Sequence, residues 1–145
     1  MNVKQISIIT ENKPGRIAAL CKTLSENNID LYSISVAEAA DFGIIRILVE
    51  DAYTAATVLK DADYVCSLTD VIAIEVNDEP GALAKIGSVI GDAGINIEYM
   101  YSVTNRKIGK AYMIIRVTDN QECIQILQKA GMKVVSQEEM NLAKK

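Results

Sequence analysis

The chain has two prolines, and each is followed by glycine. Pro14-Gly15 closes the stretch Ile8-Ile9-Thr10-Glu11-Asn12-Lys13, and Pro80-Gly81 closes Ile74-Glu75-Val76-Asn77-Asp78-Glu79. In both places an alternating apolar pattern ends and a helical one begins. Proline suits a helix's first turn, where its missing N–H has no intrahelical partner. Glycine lets the backbone approach whatever lies in front of the helix. The two pairs are 66 residues apart, at 14 and 80, and the apolar pattern stays in phase at that offset. Ile6 and Ile8 fall on Ile72 and Ile74. Ile17, Leu20 and Leu24 fall on Leu83, Ile86 and Ile90, and Ile29-Asp30-Leu31 on Ile95-Asn96-Ile97. The offset grows to 68 at Val49-Glu50-Asp51, which matches Val117-Thr118-Asp119, and to 69 where Ser67 matches Ser136. The chain therefore reads as two copies of one module, with domains expected over 1–68 and 69–145. Each copy alone is small for an independent core, so the two are expected to share an interface.

Within each copy the periodicities predict the same order of elements. Residues 3–10 read as a strand and 14–27 as a helix, with Ile17, Leu20, Cys21 and Leu24 on one stripe. Strands follow over Ile29 to Ala37 and Ile44 to Val49. The latter is apolar on both faces except at Arg46, and so is expected to be central. Asp51 is the expected cap of a second helix, with Ala55, Val58 and Leu59 inward, and Tyr64-Val65-Cys66 is a short fourth strand. In the second copy, strands are predicted over 70–76, 95–103, 111–117 and 132–136 and helices over 80–93 and 120–130, with Gly94 and Gly131 just past the helix ends. Ser67-Leu68-Thr69-Asp70 reads as a short connection, and 137–145 as a polar tail that frays or forms a short helix. The fold class is thus α+β: two ferredoxin-like βαββαβ modules, each an antiparallel sheet with its helices on one face. Ile9, Ile44 and Leu48 in copy one, with Tyr112 and Ile114 in copy two, are assigned to the other face, where a homodimer or larger assembly would cover them.

Composition narrows the function. The net charge is −4 and the pI about 4.9, which argues against a nucleic-acid partner. No apolar run approaches a membrane span, and Met1-Asn2-Val3-Lys4-Gln5 lacks a signal peptide's apolar segment, so a cytoplasmic location is expected. Cys21, Cys66 and Cys123 have no metal-ligand spacing and read as buried reduced thiols. There is no His, no Gly-x-Ser-x-Gly turn, no phosphate-binding P-loop and no Asp/Glu cluster with metal-ligand spacing. The expectation is a non-catalytic protein with no metal and no cofactor. The central strands carry Arg46 and Tyr112 but no aromatic pair of the kind an RNA-reading sheet needs.

Glu11-Asn12-Lys13-Pro14-Gly15, then a helix, then Asn28-Ile29-Asp30-Leu31, resembles the ACT domain family. Asn77-Asp78-Glu79-Pro80-Gly81, followed by Ala93-Gly94-Ile95-Asn96-Ile97, resembles it more closely, and the likeness spans almost the whole chain as a stand-alone tandem pair. The resemblance implies regulatory modules that bind small ligands, usually amino acids. It also implies edge-to-edge pairing of modules into an eight-stranded sheet, with the ligand between one module's first loop and helix and its neighbour's second strand. Carried over by motif position, the ligand-binding residues are Asn12, Lys13, Pro14, Gly15, Asp30 and Leu31 in copy one, and Asp78, Glu79, Pro80, Gly81, Asn96 and Ile97 in copy two. Some amino-acid-binding members have His two residues before the loop Asn; Thr10 and Val76 stand there in this chain. The expected partners are a free amino acid, a separate metabolic enzyme and a second copy of the chain.

Plainer readings stand beside each of these. The Pro-Gly pairs can be turns with no guest, Asn12 and Asp78 helix caps, and Asp30 and Asn96 ordinary turn residues. Arg16 can face solvent, pair with Glu11 or meet a ligand carboxylate. Arg106, Lys107 and Lys110 read as a wet loop tip. Tyr99 and Tyr101 either line a pocket or pack at a module interface. The alternative function is a docking module that binds a metabolic enzyme and has no ligand of its own.

Overall fold

A computed structural model describes residues 1–104 and 109–144. The elements run β1 (Val3–Glu11), α1 (Arg16–Glu26), β2 (Ser33–Ala39), β3 (Phe42–Leu48), α2 (Ala52–Asp61), β4 (Val65–Asn77), α3 (Ala82–Asp92), β5 (Tyr99–Thr104), β6 (Lys110–Arg116), α4 (Asn120–Lys129), β7 (Lys133–Val135) and α5 (Gln137–Lys144). The chain divides into a first module, Lys4–Thr69, and a second made of Met1–Val3 with the chain from Asp70 onward.

In the first module the strand order is β2-β3-β1-β4. β3 is central, as its two apolar faces require, with Ile45 opposite Ile8 on one side and Val36 on the other. The Ser7 and Thr69 hydroxyls meet at 3.2 Å between β1 and β4. Because side chains alternate along a strand, Ile6, Ile8, Ile45 and Ile47 point to one face. There they meet Leu20 and Leu24 of α1 and Ala52, Ala55, Ala56 and Leu59 of α2. Full burial of each Leu or Ile is worth about 1.5–3 kcal/mol. Ile17, at the start of the predicted stripe, stays exposed, as does its counterpart Leu83. Asp51 caps α2, accepting from the Tyr53 and Thr54 amides at 3.1 and 3.2 Å.

The second module repeats this plan in the order β7-β4-β6-β5. Ile72, Ile74, Met113 and Ile115 pack against Ile86 and Ile90 of α3 and Cys123 and Leu127 of α4. Asp119 caps α4 through the Glu122 amide at 3.1 Å. Left-handed residues follow the helices in both copies, Asn28 and Asp63 in the first and Gly94 and Gly131 in the second.

Several expectations need correction. Seven strands are present among the described residues, not eight. Val65–Asn77 is one strand of 13 residues, serving as last strand of one module and first of the next. Ser67-Leu68-Thr69-Asp70 contains no Gly or Pro to break it, so the strand runs straight through. Within the modules, β2 pairs with β3 and β5 with β6, so each second strand is an edge strand. Those second strands also begin late, at Ser33 and Tyr99, because Ile29, Leu31, Ile95 and Ile97 first turn inward against the cores. Of the two forms expected of the polar tail, the short helix is the one present. Ser136 Oγ accepts from the Glu139 amide at 3.1 Å while Glu139 faces the Ser136 amide at 3.4 Å, a reciprocal cap, and Met140 is fully buried. Of the residues assigned to the open sheet faces, Leu48, Tyr112 and Ile114 are buried and Ile9 is 49% exposed. Arg106 and Lys107 lie outside the described residues. No helix among the described residues is long and apolar enough to cross a membrane.

Candidate functional site

Each Pro-Gly pair forms the middle of a tight turn. The Arg16 amide reaches the Lys13 carbonyl at 3.4 Å and the Ala82 amide the Glu79 carbonyl at 3.3 Å. Gly15 has φ 88° and ψ −10°, and Gly81 has φ 92° and ψ −13°. With proline second and a left-handed glycine third, these are type II turns, and each residue is explained by the position it holds. The helices therefore begin after the glycine, and Pro14 and Pro80 lie outside the first turn rather than in it.

The turn has an electrostatic consequence. Gly15 and Gly81 are the N-caps and carry no side chain, and no side-chain hydrogen bond caps α1 or α3. Asn12 and Asp78 therefore do not act as caps. Arg16 and Ala82 donate back into the turn, and the Ala19 and Lys85 amides donate to the Gly15 and Gly81 carbonyls at 3.0 and 3.1 Å. That leaves the amides of Ile17, Ala18, Leu83 and Ala84 facing outward at the positive ends of their helix dipoles. Apart from the adjoining residues, no heavy atom lies within 4 Å of a Cβ built on Gly15 or Gly81, so the outer side of each turn is open. By contrast α2 and α4 are each capped by aspartate.

The remaining expected residues lie around these turns. Asn12, Lys13, Asp30, Asp78, Glu79 and Asn96 are exposed, while Leu31 and Ile97 are half-buried against the two cores. The Asp78 amide donates to the Gly109 carbonyl at 2.8 Å. Glu11 pairs with Lys13 at 2.8 Å and with Arg16 at 3.1 Å, so Arg16 makes the Glu11 contact that was one of its expected roles. The Lys13 ammonium, and then Arg16, hold the Glu11 carboxyl below its usual range. Tyr99 and Tyr101 stack with ring centroids 6.5 Å apart. Burial pushes the thiols of Cys66 and Cys123 up, which keeps them protonated and unreactive.

The second module has a cavity of about 400 Å³ lined by Glu79, Ala82 and Lys85 on one side and Gly131, Met132 and Lys133 on the other. Of the expected site residues, Glu79 reaches it. Lys110 and Asn77 lie at its wall, with the Lys110 ammonium donating to Asn77 Oδ1. No local sequence signal marks it, because it depends on the strand register: β7 covers β4 only from Ala73 to Glu75, leaving Val76 and Asn77 beyond it.

A βαββαβ unit repeated in tandem, with an uncapped Pro-Gly helix entrance in each copy, defines a class of paired α+β modules. The chain belongs to the ACT domain pair family, which it matches over residues 1–144. It is similar to a crystal structure of a Bacteroides thetaiotaomicron protein at 37% identity, with 96% of this chain and 95% of that one covered and a TM-score of 0.88. The regulatory subunit of aspartate kinase from Thermus thermophilus has the same fold, at 18% identity, coverage of 88% and 91%, and a TM-score of 0.63. That subunit from Thermus flavus matches at 17% identity, coverage of 90% and 93%, and a TM-score of 0.62. No match was found among curated proteins.

Proposed function

We propose that this ACT domain pair is a non-catalytic regulatory protein that binds a free amino acid. The ligand carboxylate accepts from the Ile17 and Ala18 amides, or from those of Leu83 and Ala84, and the ammonium faces Asp30, Asn96 or Asp78. The observation that carries this reading is the repeated contrast in capping. α2 and α4 are each closed by an aspartate, while α1 and α3 enter through a glycine turn whose outer side is open. An exposed helix N-terminus with free amides is where an anion is stabilised. Asp78 in one copy and Asn12 in the other give the two entrances different charge, so their affinities differ.

The assembly proposed with it is a homodimer in which module edges pair and the ligand occupies the seam. Supporting this, Ile34 and Val36 on edge strand β2 are exposed, with Ile17 on α1; Met100 on β5 and Leu83 on α3 are exposed at the corresponding positions. Edge strands with open backbone groups favour such pairing. The regulated partner is a separate metabolic enzyme, in line with the regulatory subunits that share the fold, and the location is cytoplasmic.

Thermal-shift screening against the twenty amino acids tests the proposal. Ligand at about 100 times its Kd stabilises the fold by roughly 2.7 kcal/mol. If none raises the melting temperature, the docking-module reading replaces it. The observation favouring that second reading is the exposure of Ile9, Phe42 and Val65 in the first module.

A further inference from the structure

We propose that the second module carries a separate site for a small oxyanion, the carboxylate or phosphate group of a metabolite. It lies in the cavity between α3 and the turn before β7. Its volume of about 400 Å³ falls within the range of small-molecule pockets, about 300–1,000 Å³. Val76, Ile86 and Met132 supply apolar surface, and the charged lining is three lysines, Lys85, Lys110 and Lys133, against two carboxylates, Glu75 and Glu79, a net positive balance. The opening exists because β4 continues past the end of β7, so Val76 and Asn77 have no strand on that side.

The charges around it are unevenly matched. Lys133 pairs with Glu75 at 3.9 Å and Glu139 at 3.8 Å. Lys110 donates to Asn77, whose amide in turn donates to Glu79 Oε1 at 3.4 Å. Lys85 meets no carboxylate among the described residues. An oxyanion entering the cavity neutralises that ammonium, with the other two lysines on the surrounding wall.

The first module provides an internal comparison. At the positions of Lys85, Lys110 and Lys133 it has Ala19, Phe42 and Val65, and at that of Glu75 it has Ile9. Phe42 stands opposite Glu11 as Lys110 stands opposite Asn77. The same scaffold thus folds with apolar residues at all four positions, and the cationic lining is no requirement of the fold. The site adjoins the α3 entrance at Glu79 and Ala82 but lies on the β7 side of the module and excludes Asn96 and Ile97, so it is distinct from the amino-acid site proposed above.

The test is titration of the full-length, ¹⁵N-labelled chain with succinate in one arm and inorganic phosphate in the other. The backbone amides of Lys85, Gly131, Met132 and Lys133 are expected to shift and saturate at one equivalent per chain, while those of Ala19, Phe42 and Val65 stay in place. The arm that saturates at lower concentration names the anionic group. Lys85→Glu, on an exposed helical position, should leave the rest of the spectrum intact and weaken binding by about tenfold or more. The proposal is overturned if neither oxyanion moves these amides below about 10 mM, or if Lys85→Glu binds as the parent does.

Discussion

Replacing Gly81 by alanine isolates the cost of the type II turn. Gly81 sits at φ 92°, in the left-handed region, and its new Cβ would find no heavy atom within 4 Å apart from the adjoining residues. Steric clash with neighbours is therefore absent, and the penalty is backbone strain alone, about 1–2 kcal/mol for an L-residue. For a domain of this size, at about 4 °C per kcal/mol, the melting temperature should fall by roughly 4–8 °C. Gly87 supplies the control. It lies within α3, its Cβ also meets nothing, and its φ is not left-handed. There alanine removes unfolded-state entropy and should stabilise by about 0.5–1 kcal/mol. The same chemical change six residues away thus moves stability in opposite directions. Calorimetry or circular dichroism of the two variants measures it. If Gly81→Ala melts with or above the parent, the glycine is not held in place by its dihedral angle, and the account of the turn is wrong.

Two further outcomes follow from the packing and capping. Ile90→Ala, at a fully buried position of α3, should cost about 2–5 kcal/mol in denaturant titration, while Leu142→Ala, at an exposed position of α5, changes little. The Thr54 hydroxyl, and then its amide, hold the Asp51 carboxyl below its ordinary 3.8. With the folded-state pKa depressed, the contribution of Asp51 is full above the unfolded-state value and lost as pH falls through the folded one. Asp51→Ala should therefore be less stable than the parent at about pH 6, with the gap narrowing at about pH 2.5; a constant gap contradicts the cap's ionised role.

How much was legible in the sequence depended on whether a residue's role was local. The two βαββαβ copies followed from apolar periodicity, because Leu20, Leu24, Ile86 and Ile90 must share a helix face and did. The Asp51 cap and the left-handed helix stops at Gly94 and Gly131 followed from residue chemistry alone. The fusion of two strands into β4 was missed because short strand fragments with a polar stretch between them look like strand, turn, strand. Only pairing with neighbours keeps Ser67 to Asp70 extended. Helix α5 was one of two readings of the polar tail, and the capping box Ser136-x-x-Glu139 is the local chemistry that selects it. At the entrances, each Pro-Gly pair forms the strand-to-helix turn that its residue chemistry suggests. Its type II geometry shifted the cap from Asn12 and Asp78 to the glycines themselves. The cavity depends on where β7 ends against β4, a tertiary register that no local pattern carries.

The most direct test of the central claim follows the amides at the two uncapped helix entrances in a ¹H–¹⁵N spectrum as each amino acid is added. The account predicts that at least one amino acid shifts the Ile17 and Ala18 amides, or those of Leu83 and Ala84, saturably and downfield, as expected for donation to a carboxylate. If every amino acid leaves all four in place, no ligand sits at the entrances, and the amino-acid-binding reading is contradicted.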